Sequence, residues 1–141
     1  MFTQPCFIRK NTPELRKKLQ ELGQRANTLD DFKGEWLAAN YGMYISVQDG
    51  FQHLHPNDID CGTNEDLFLA IASLRDDTDK GQWFIYDSMD AVIERFRVYE
   101  WLICNEDKIE DMFFYDSLYL NTHKATVQEL IEHFSKKEEE P

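Results

Sequence analysis

Trp36-Leu37-Ala38-Ala39-Asn40-Tyr41-Gly42-Met43-Tyr44-Ile45-Ser46-Val47 decides the fold class. Two apolar, strand-prone runs flank Asn40-Tyr41-Gly42, and a short turn of this kind between such runs predicts a β-hairpin. A helix start lies on each side of it. Upstream, Asn11-Thr12-Pro13-Glu14 offers Thr12 as a cap for the first free N–H groups and Pro13 at the first helical position, where no N–H is missed. Leu15, Leu19 and Leu22 follow at helical spacing, Gly23 is placed to end the helix, and Arg16, Lys17 and Lys18 fall on its other faces. Downstream, Thr63 is the expected cap of a second helix, with Asp66 reaching back at the third position and Leu67, Ala70, Ile71 and Leu74 as the buried stripe.

The remaining segments extend both layers. Cys6-Phe7-Ile8 reads as an edge strand and residues 24–34 as a polar connection. Phe51-Gln52-His53-Leu54-His55 alternates as a short strand until Pro56 stops it. Trp83-Phe84-Ile85-Tyr86 has the unbroken apolar character of a central strand covered on both faces. Residues 88–104 predict a short helix followed by a strand, with 97–104 compatible with either state, and residues 105–111 predict an acidic turn. Met112-Phe113-Phe114-Tyr115 and Leu118-Tyr119-Leu120 suggest a closing hairpin around Asp116-Ser117. Thr126-Val127-Gln128-Glu129 is a capping box that opens a last helix with Val127, Leu130, Ile131 and Phe134 inward. The expectation is one α+β domain over residues 1–134. It has a mostly antiparallel or mixed sheet of about five to seven strands, packed by a single layer of about three helices near 13–22, 64–75 and 127–134, with 135–141 as a frayed charged tail.

A chain of 141 residues with 42% hydrophobic and 13% aromatic content can build a core, which excludes long disorder. No apolar run approaches the roughly 20 residues that cross a bilayer, and Met1-Phe2-Thr3-Gln4-Pro5-Cys6 lacks a basic segment followed by a long apolar one. A cytoplasmic protein without membrane contact is expected. Cys6, Cys61 and Cys104 are odd in number, far apart in sequence and without a CxxC pair, so reduced thiols are expected rather than a disulfide framework or zinc knuckle.

Charge is unevenly spread. The net charge is −12, yet residues 1–34 carry seven Lys and Arg against four Asp and Glu, while the rest carries eight against 23. A negative field over most of the surface repels phosphates, so no direct nucleic-acid partner is expected. The basic group Arg9, Lys10, Arg16, Lys17, Lys18 and Arg25 reads as a solvated helix face that neutralises part of the acidic remainder.

Four further constellations carry chemistry-bearing side chains. His53 and His55, two apart on a strand and followed by Asp58, Asp60 and Cys61, have a spacing that permits zinc but lacks a defined fourth ligand. Cys61, in the turn before a helix, is the alternative nucleophile, with His55 or His123 as its base. Asp76-Asp77-Thr78-Asp79-Lys80-Gly81 resembles a calcium loop only superficially. With Gly81 at position six, Lys80 falls on the fifth, oxygen-ligand position and Asp87 replaces the closing Glu. The fourth is an acidic set, Glu94, Glu100, Glu106, Asp107, Glu110, Asp111 and Asp116, around Trp101, Phe113, Phe114 and Tyr115. Aromatic anchors rimmed by carboxylates suit a basic protein partner, and this set is the leading candidate contact surface.

The segments 11–19, 60–72 and 125–134, which include Asn11-Thr12-Pro13-Glu14, Asp60-Cys61-Gly62-Thr63 and Ala125-Thr126-Val127-Gln128-Glu129, resemble small uncharacterised proteins of bacterial phages and mobile elements. That resemblance implies an accessory or host-interaction role. No cofactor is expected. The sequence therefore leads to a non-enzymatic protein-interaction module, in its sharpest form a DNA-mimic inhibitor. Glu106, Asp107, Glu110, Asp111 and Trp101 are its partner-binding residues. A metal- or thiol-dependent hydrolase on His53, His55 and Cys61 is the alternative, and a structural or assembly protein the third reading.

Overall fold

The structure is a computed structural model and describes residues 1–26, 34–47, 57–86, 100–112 and 122–139, with side chains to residue 135. It is an α+β fold with a five-stranded and a three-stranded sheet and four helices among the described residues. The chain divides into one unit formed by Met1–Asp76 with Leu130–Pro141 and a second formed by Asp77–Glu129.

The first unit contains β1 (Cys6–Ile8), α1 (Pro13–Leu22), β2 (Arg25–Ala26), β3 (Trp36–Asn40), β4 (Met43–Val47), β5 (Ile59–Asp60) and α2 (Glu65–Ala72). Its sheet runs β2-β4-β3-β1-β5. The predicted hairpin is its centre, with β3 and β4 antiparallel from Trp36 opposite Val47 to Asn40 opposite Met43. Tyr41 (φ 51°) and Gly42 (φ 101°) form the two-residue connection, and positive φ at both positions matches the right-handed twist of the strands it joins. Gly34 must be glycine for a different reason. A Cβ there would sit 2.3 to 2.7 Å from backbone atoms of Ser46 and Val47, and the Gly34 carbonyl accepts from Asn11 Nδ2 at 2.6 Å.

One sheet face carries Cys6, Ile8, Leu37, Ala39 and Tyr44, all essentially inaccessible. Helices α1 and α2 lie on it: Gln20 of α1 donates to the Tyr44 hydroxyl at 2.8 Å, and the Phe68 carbonyl of α2 receives the Cys6 thiol at 3.9 Å. Leu15, Leu19, Phe68 and Ile71 complete that core. The opposite face holds Phe7, Ala38 and Val47, with Trp36 and Ile45 against them. Phe7 stacks on Trp36 at 5.6 Å, and the Arg9 guanidinium lies 5.0 Å over the Trp36 ring.

The helix termini follow the capping chemistry. The Leu15 N–H donates to Thr12 Oγ1 at 3.1 Å, as expected. At the other end of α1, Gly23 adopts φ 104°, its N–H donates to the Gln20 carbonyl and the Gln24 N–H to the Leu19 carbonyl, both at 3.0 Å. The buried Gln24 side chain then donates to the Ala72 carbonyl at the end of α2, 3.0 Å away.

Several expectations are corrected. Cys6–Ile8 is an internal strand rather than an edge, antiparallel to β3 and parallel to β5. Both of its faces are buried, so no polar alternation exists to betray its position. The cap of α2 is Asn64 rather than Thr63. Its Oδ1 accepts the Leu67 N–H at 3.1 Å while its Nδ2 donates to the Phe134 carbonyl at 3.1 Å, two bonds that a threonine hydroxyl at position 63 does not make. The helix stops at Ala72, where the Ser73 hydroxyl turns back to the Ala70 carbonyl. The polar connection contains β2, parallel to β4, and the loop before α2 contains β5. Two-residue strands are too short to show a period.

The second unit contains β6 (Trp83–Tyr86), β7 (Trp101–Ile103), α3 (Ile109–Met112) and β8 (Thr122–Lys124). The three strands are antiparallel in the order β7-β6-β8, so Trp83–Tyr86 is central, as its composition implied. Phe84, Cys104 and Ile109 form a core cluster with Leu102 and Met112 packed on it. Residues 101–103 of the ambiguous stretch are strand. Met112 closes a helical turn instead of opening a strand, because Asp79 Oδ2 accepts the Ile109 N–H at 2.8 Å and starts that turn. The helix expected near 89–96, the strand 51–55 and the remainder of the hairpin over 112–120 lie outside the described residues.

The last helix, α4 (Val127–Glu139), runs past the expected end at Phe134. Its predicted box is formed: the Thr126 N–H donates to Glu129 Oε1 at 3.0 Å and the Glu129 N–H to Thr126 Oγ1 at 3.2 Å.

Two substitutions test the hairpin. Gly34→Ala drives a methyl group into backbone and is expected to destabilise by at least about 1–3 kcal/mol. Tyr41→Asn places a residue that tolerates the left-handed region at φ 51° and is expected to stabilise by about 1 kcal/mol. Urea midpoints of the two variants measured side by side check both signs, and a neutral Gly34→Ala contradicts the close approach.

Candidate functional site

The acidic candidate surface is assembled by two turns of the second unit that bind each other through backbone groups. The Asp79 N–H donates to the Asp107 carbonyl at 2.8 Å, and the Thr78 hydroxyl donates to the same oxygen at 3.0 Å. Below them, the Gly81 N–H donates to the Cys104 carbonyl at 2.8 Å. The Asp79 carboxylate is shared between the Ile109 N–H and the Lys124 ammonium, the latter 3.1 Å from Oδ1. Asp79 is therefore structural, consistent with rejecting the calcium-loop pattern. With these inward bonds fixed, Asp77, Glu106, Asp107, Glu110 and Asp111 all face solvent.

Trp101 is half-buried and meets Trp83 edge to face at 6.3 Å. The register places Trp83 opposite Ile103 and Ile85 opposite Trp101, so these four side chains share one sheet face. Ile103, 49% exposed, lies next to the acidic turn and nearer to it along β7 than Trp101. The apolar neighbour of the carboxylates is thus Ile103 with Trp83, a pairing set by strand register that no spacing along the chain reveals. Phe113, Phe114, Tyr115, Glu94 and Asp116 lie outside the described residues.

The basic group of the first unit is largely engaged locally. Arg9 pairs with Asp60 at 2.5 Å, Lys10 with Glu65 at 3.4 Å, and Arg16 donates to the Asn11 side chain. Lys17, Lys18 and Arg25 are exposed.

The alternative site divides. His53 and His55 lie outside the described residues, and among the described residues no group of three or more His, Cys, Asp and Glu side chains is arranged to hold a metal. Cys61 is buried, its thiol 3.8 Å from the Ile59 carbonyl. Burial pushes the Cys6 thiol well above its usual range, and Cys61 and the Asp58 charge push it further. Cys104 is likewise raised by burial, partly offset by its contact with the Glu106 carbonyl at 3.1 Å. Neither environment favours a thiolate. The other base candidate, His123, places Nε2 3.0 and 2.9 Å from the two carboxylate oxygens of Glu129.

Comparison with protein-family models, curated proteins and solved structures finds no match. No helix among the described residues is long and apolar enough to cross a membrane.

The Glu129 cluster makes a pH prediction. Partial burial would raise its pKa, but bonds from Thr126 and His123 outweigh that and hold it below the ordinary 4.5. A carboxylate depressed on folding contributes stability that is full above 4.5 and lost as pH falls through the lowered folded value. Glu129→Gln is expected to lower the urea midpoint at neutral pH and to flatten the acid limb below 4.5; parallel acid limbs in the two proteins contradict this.

Proposed function

We propose that this chain is a non-enzymatic protein-interaction module that uses the acidic end of its second unit to bind a basic partner. Its sharpest form is a DNA-mimic inhibitor of a nucleic-acid-handling protein, acting in the cytoplasm as an accessory factor of the kind found in mobile elements. One observation carries the reading: the docked turns 76–81 and 105–111 hold Glu106, Asp107, Glu110 and Asp111 outward on a backbone fixed by Asp79. A pre-ordered array of carboxylates meets a cationic surface without first losing the entropy of ordering a loop.

Long-range charge supports the same surface. The second unit carries five Lys and Arg against twelve Asp and Glu, and its Lys124 is already paired with Asp79. A field of that sign accelerates encounter with a cationic protein and makes the rate sensitive to salt. Exposed Ile103 beside the carboxylates supplies apolar area that a purely electrostatic contact lacks.

The test compares tagged wild-type protein with a variant carrying Glu106→Gln, Asp107→Asn, Glu110→Gln and Asp111→Asn, which leaves Asp79 and the backbone bonds intact. Both are used to capture proteins from native lysate, with elution by rising salt. The expected result is a basic protein released by moderate salt, absent from the variant's eluate, whose nucleic-acid binding the wild-type chain displaces. Equal retention by the two proteins, or displacement by neither, overturns the proposal.

A further inference from the structure

The ladder between β6 and β7 shows which backbone groups of β7 face outward. The Tyr86 N–H donates to the Glu100 carbonyl at 2.9 Å, and the Cys104 N–H to the Gln82 carbonyl at 2.8 Å. Bonded pairs alternate in an antiparallel ladder, so Glu100, Leu102 and Cys104 direct their backbone groups to β6, while those of Trp101 and Ile103 point the other way. The ladder between β6 and β8 uses the complementary set, with the Ala125 N–H donating to the Trp83 carbonyl at 2.8 Å. Among the described residues no strand lies on the outer side of β7, and the Ile103 N–H and carbonyl have no hydrogen-bond partner.

The two edges of this sheet differ in composition. β8 is Thr122-His123-Lys124, whose His123 and Lys124 are engaged with Glu129 and Asp79, and charged side chains of this kind discourage pairing with a further strand. β7 is Trp101-Leu102-Ile103, with neither charge nor proline, and Ile103 is 49% exposed. A short apolar edge with outward backbone groups accepts an added strand.

We propose that β7 is a strand-addition site, at which an extended cationic segment of a partner protein pairs antiparallel beside Ile103. The inference rests on the acidic contact proposed above and adds how the partner is held.

The geometry of β7 defines the segment. Antiparallel addition continues the pattern of the sheet, and the residue opposite Ile103 exchanges both backbone bonds with it. That residue shares the face of Trp83, Ile85, Trp101 and Ile103, so an apolar β-branched side chain fits there. Because β7 runs toward the turn 105–111, an antiparallel partner enters from that turn, and its residues preceding the one opposite Ile103 lie beside Glu106 and Asp107. Lysine or arginine is the complementary choice at those positions. A second copy of this chain fits badly, since pairing two β7 edges brings together two units that each carry five Lys and Arg against twelve Asp and Glu.

The test titrates the full chain at low salt with capped synthetic peptides in which a lysine block precedes alternating valine and threonine, while amide exchange at Ile103 is followed by NMR. Binding is expected to slow exchange of the Ile103 N–H. Methylating the valine nitrogens is expected to weaken it about tenfold or more, whereas methylating the threonine nitrogens, which face solvent in the added strand, leaves it unchanged. Ile103→Pro removes an outward N–H and no bond to β6, and is expected to weaken binding to a similar extent. Equal affinity for the valine-methylated peptide, with binding lost in the variant neutralised at Glu106, Asp107, Glu110 and Asp111, overturns strand addition and leaves the acidic contact standing. Binding that requires the valine N–H groups but is unchanged in that variant supports strand addition and overturns the acidic contact. Absence of peptide binding, or a wild-type dimer that Ile103→Pro converts to monomer, overturns strand addition.

Discussion

The three residues Cys6, Phe7 and Ile8 constrain the first unit more than any longer element. They are hydrogen-bonded on both edges and buried on both faces, which leaves their polar backbone fully dependent on β3 and β5. Burying Phe7 and Ile8 contributes roughly 1.5–3 kcal/mol each, and that gain requires both the helical layer on one side and the Phe7–Trp36 stack on the other. Consequently α1 and α2 lie on the face that carries Cys6 and Ile8, and the chain after β4 returns to pair as β5.

In the second unit the corresponding constraint is Asp79. Its N–H, its two carboxylate oxygens and the neighbouring Thr78 hydroxyl are all directed inward, to Asp107, Ile109 and Lys124. Around these satisfied groups Glu106, Asp107, Glu110 and Asp111 face water. The exposure of Glu106, Asp107, Glu110 and Asp111 is thus a by-product of one aspartate being used as a fastener.

Legibility in the sequence followed the range of the interaction that fixes each element. Thr12 with Pro13, Thr126 with Glu129, and Asn40-Tyr41-Gly42 act within a few residues, and these caps and this turn are legible in the sequence. The α2 cap was displaced by one position because Asn64 is selected by Phe134, which lies 70 residues away. Likewise β2 and β5 exist through pairing with β4 and β1, and two residues cannot display a period of two. The helical turn at Ile109 has no local signal in the sequence, since its initiating acceptor is Asp79, 30 positions earlier. At the candidate surface the same rule holds. The exposed acids were legible from composition, whereas the closeness of Ile103 and Trp83 to them depends on the β6–β7 register.

Charge shows how the two units differ despite a shared acidic composition. In the first, the strand and helix ends bring Arg9 to Asp60 and Lys10 to Glu65, so opposite charges meet and their fields cancel over a few ångströms. In the second, Lys124 is directed at Asp79, a carboxylate already committed to the backbone, while Glu106, Asp107, Glu110 and Asp111 face solvent alongside the exposed Lys80 and Lys108. The exposed carboxylates of the two turns outnumber those two ammonium groups, so the local field there stays negative.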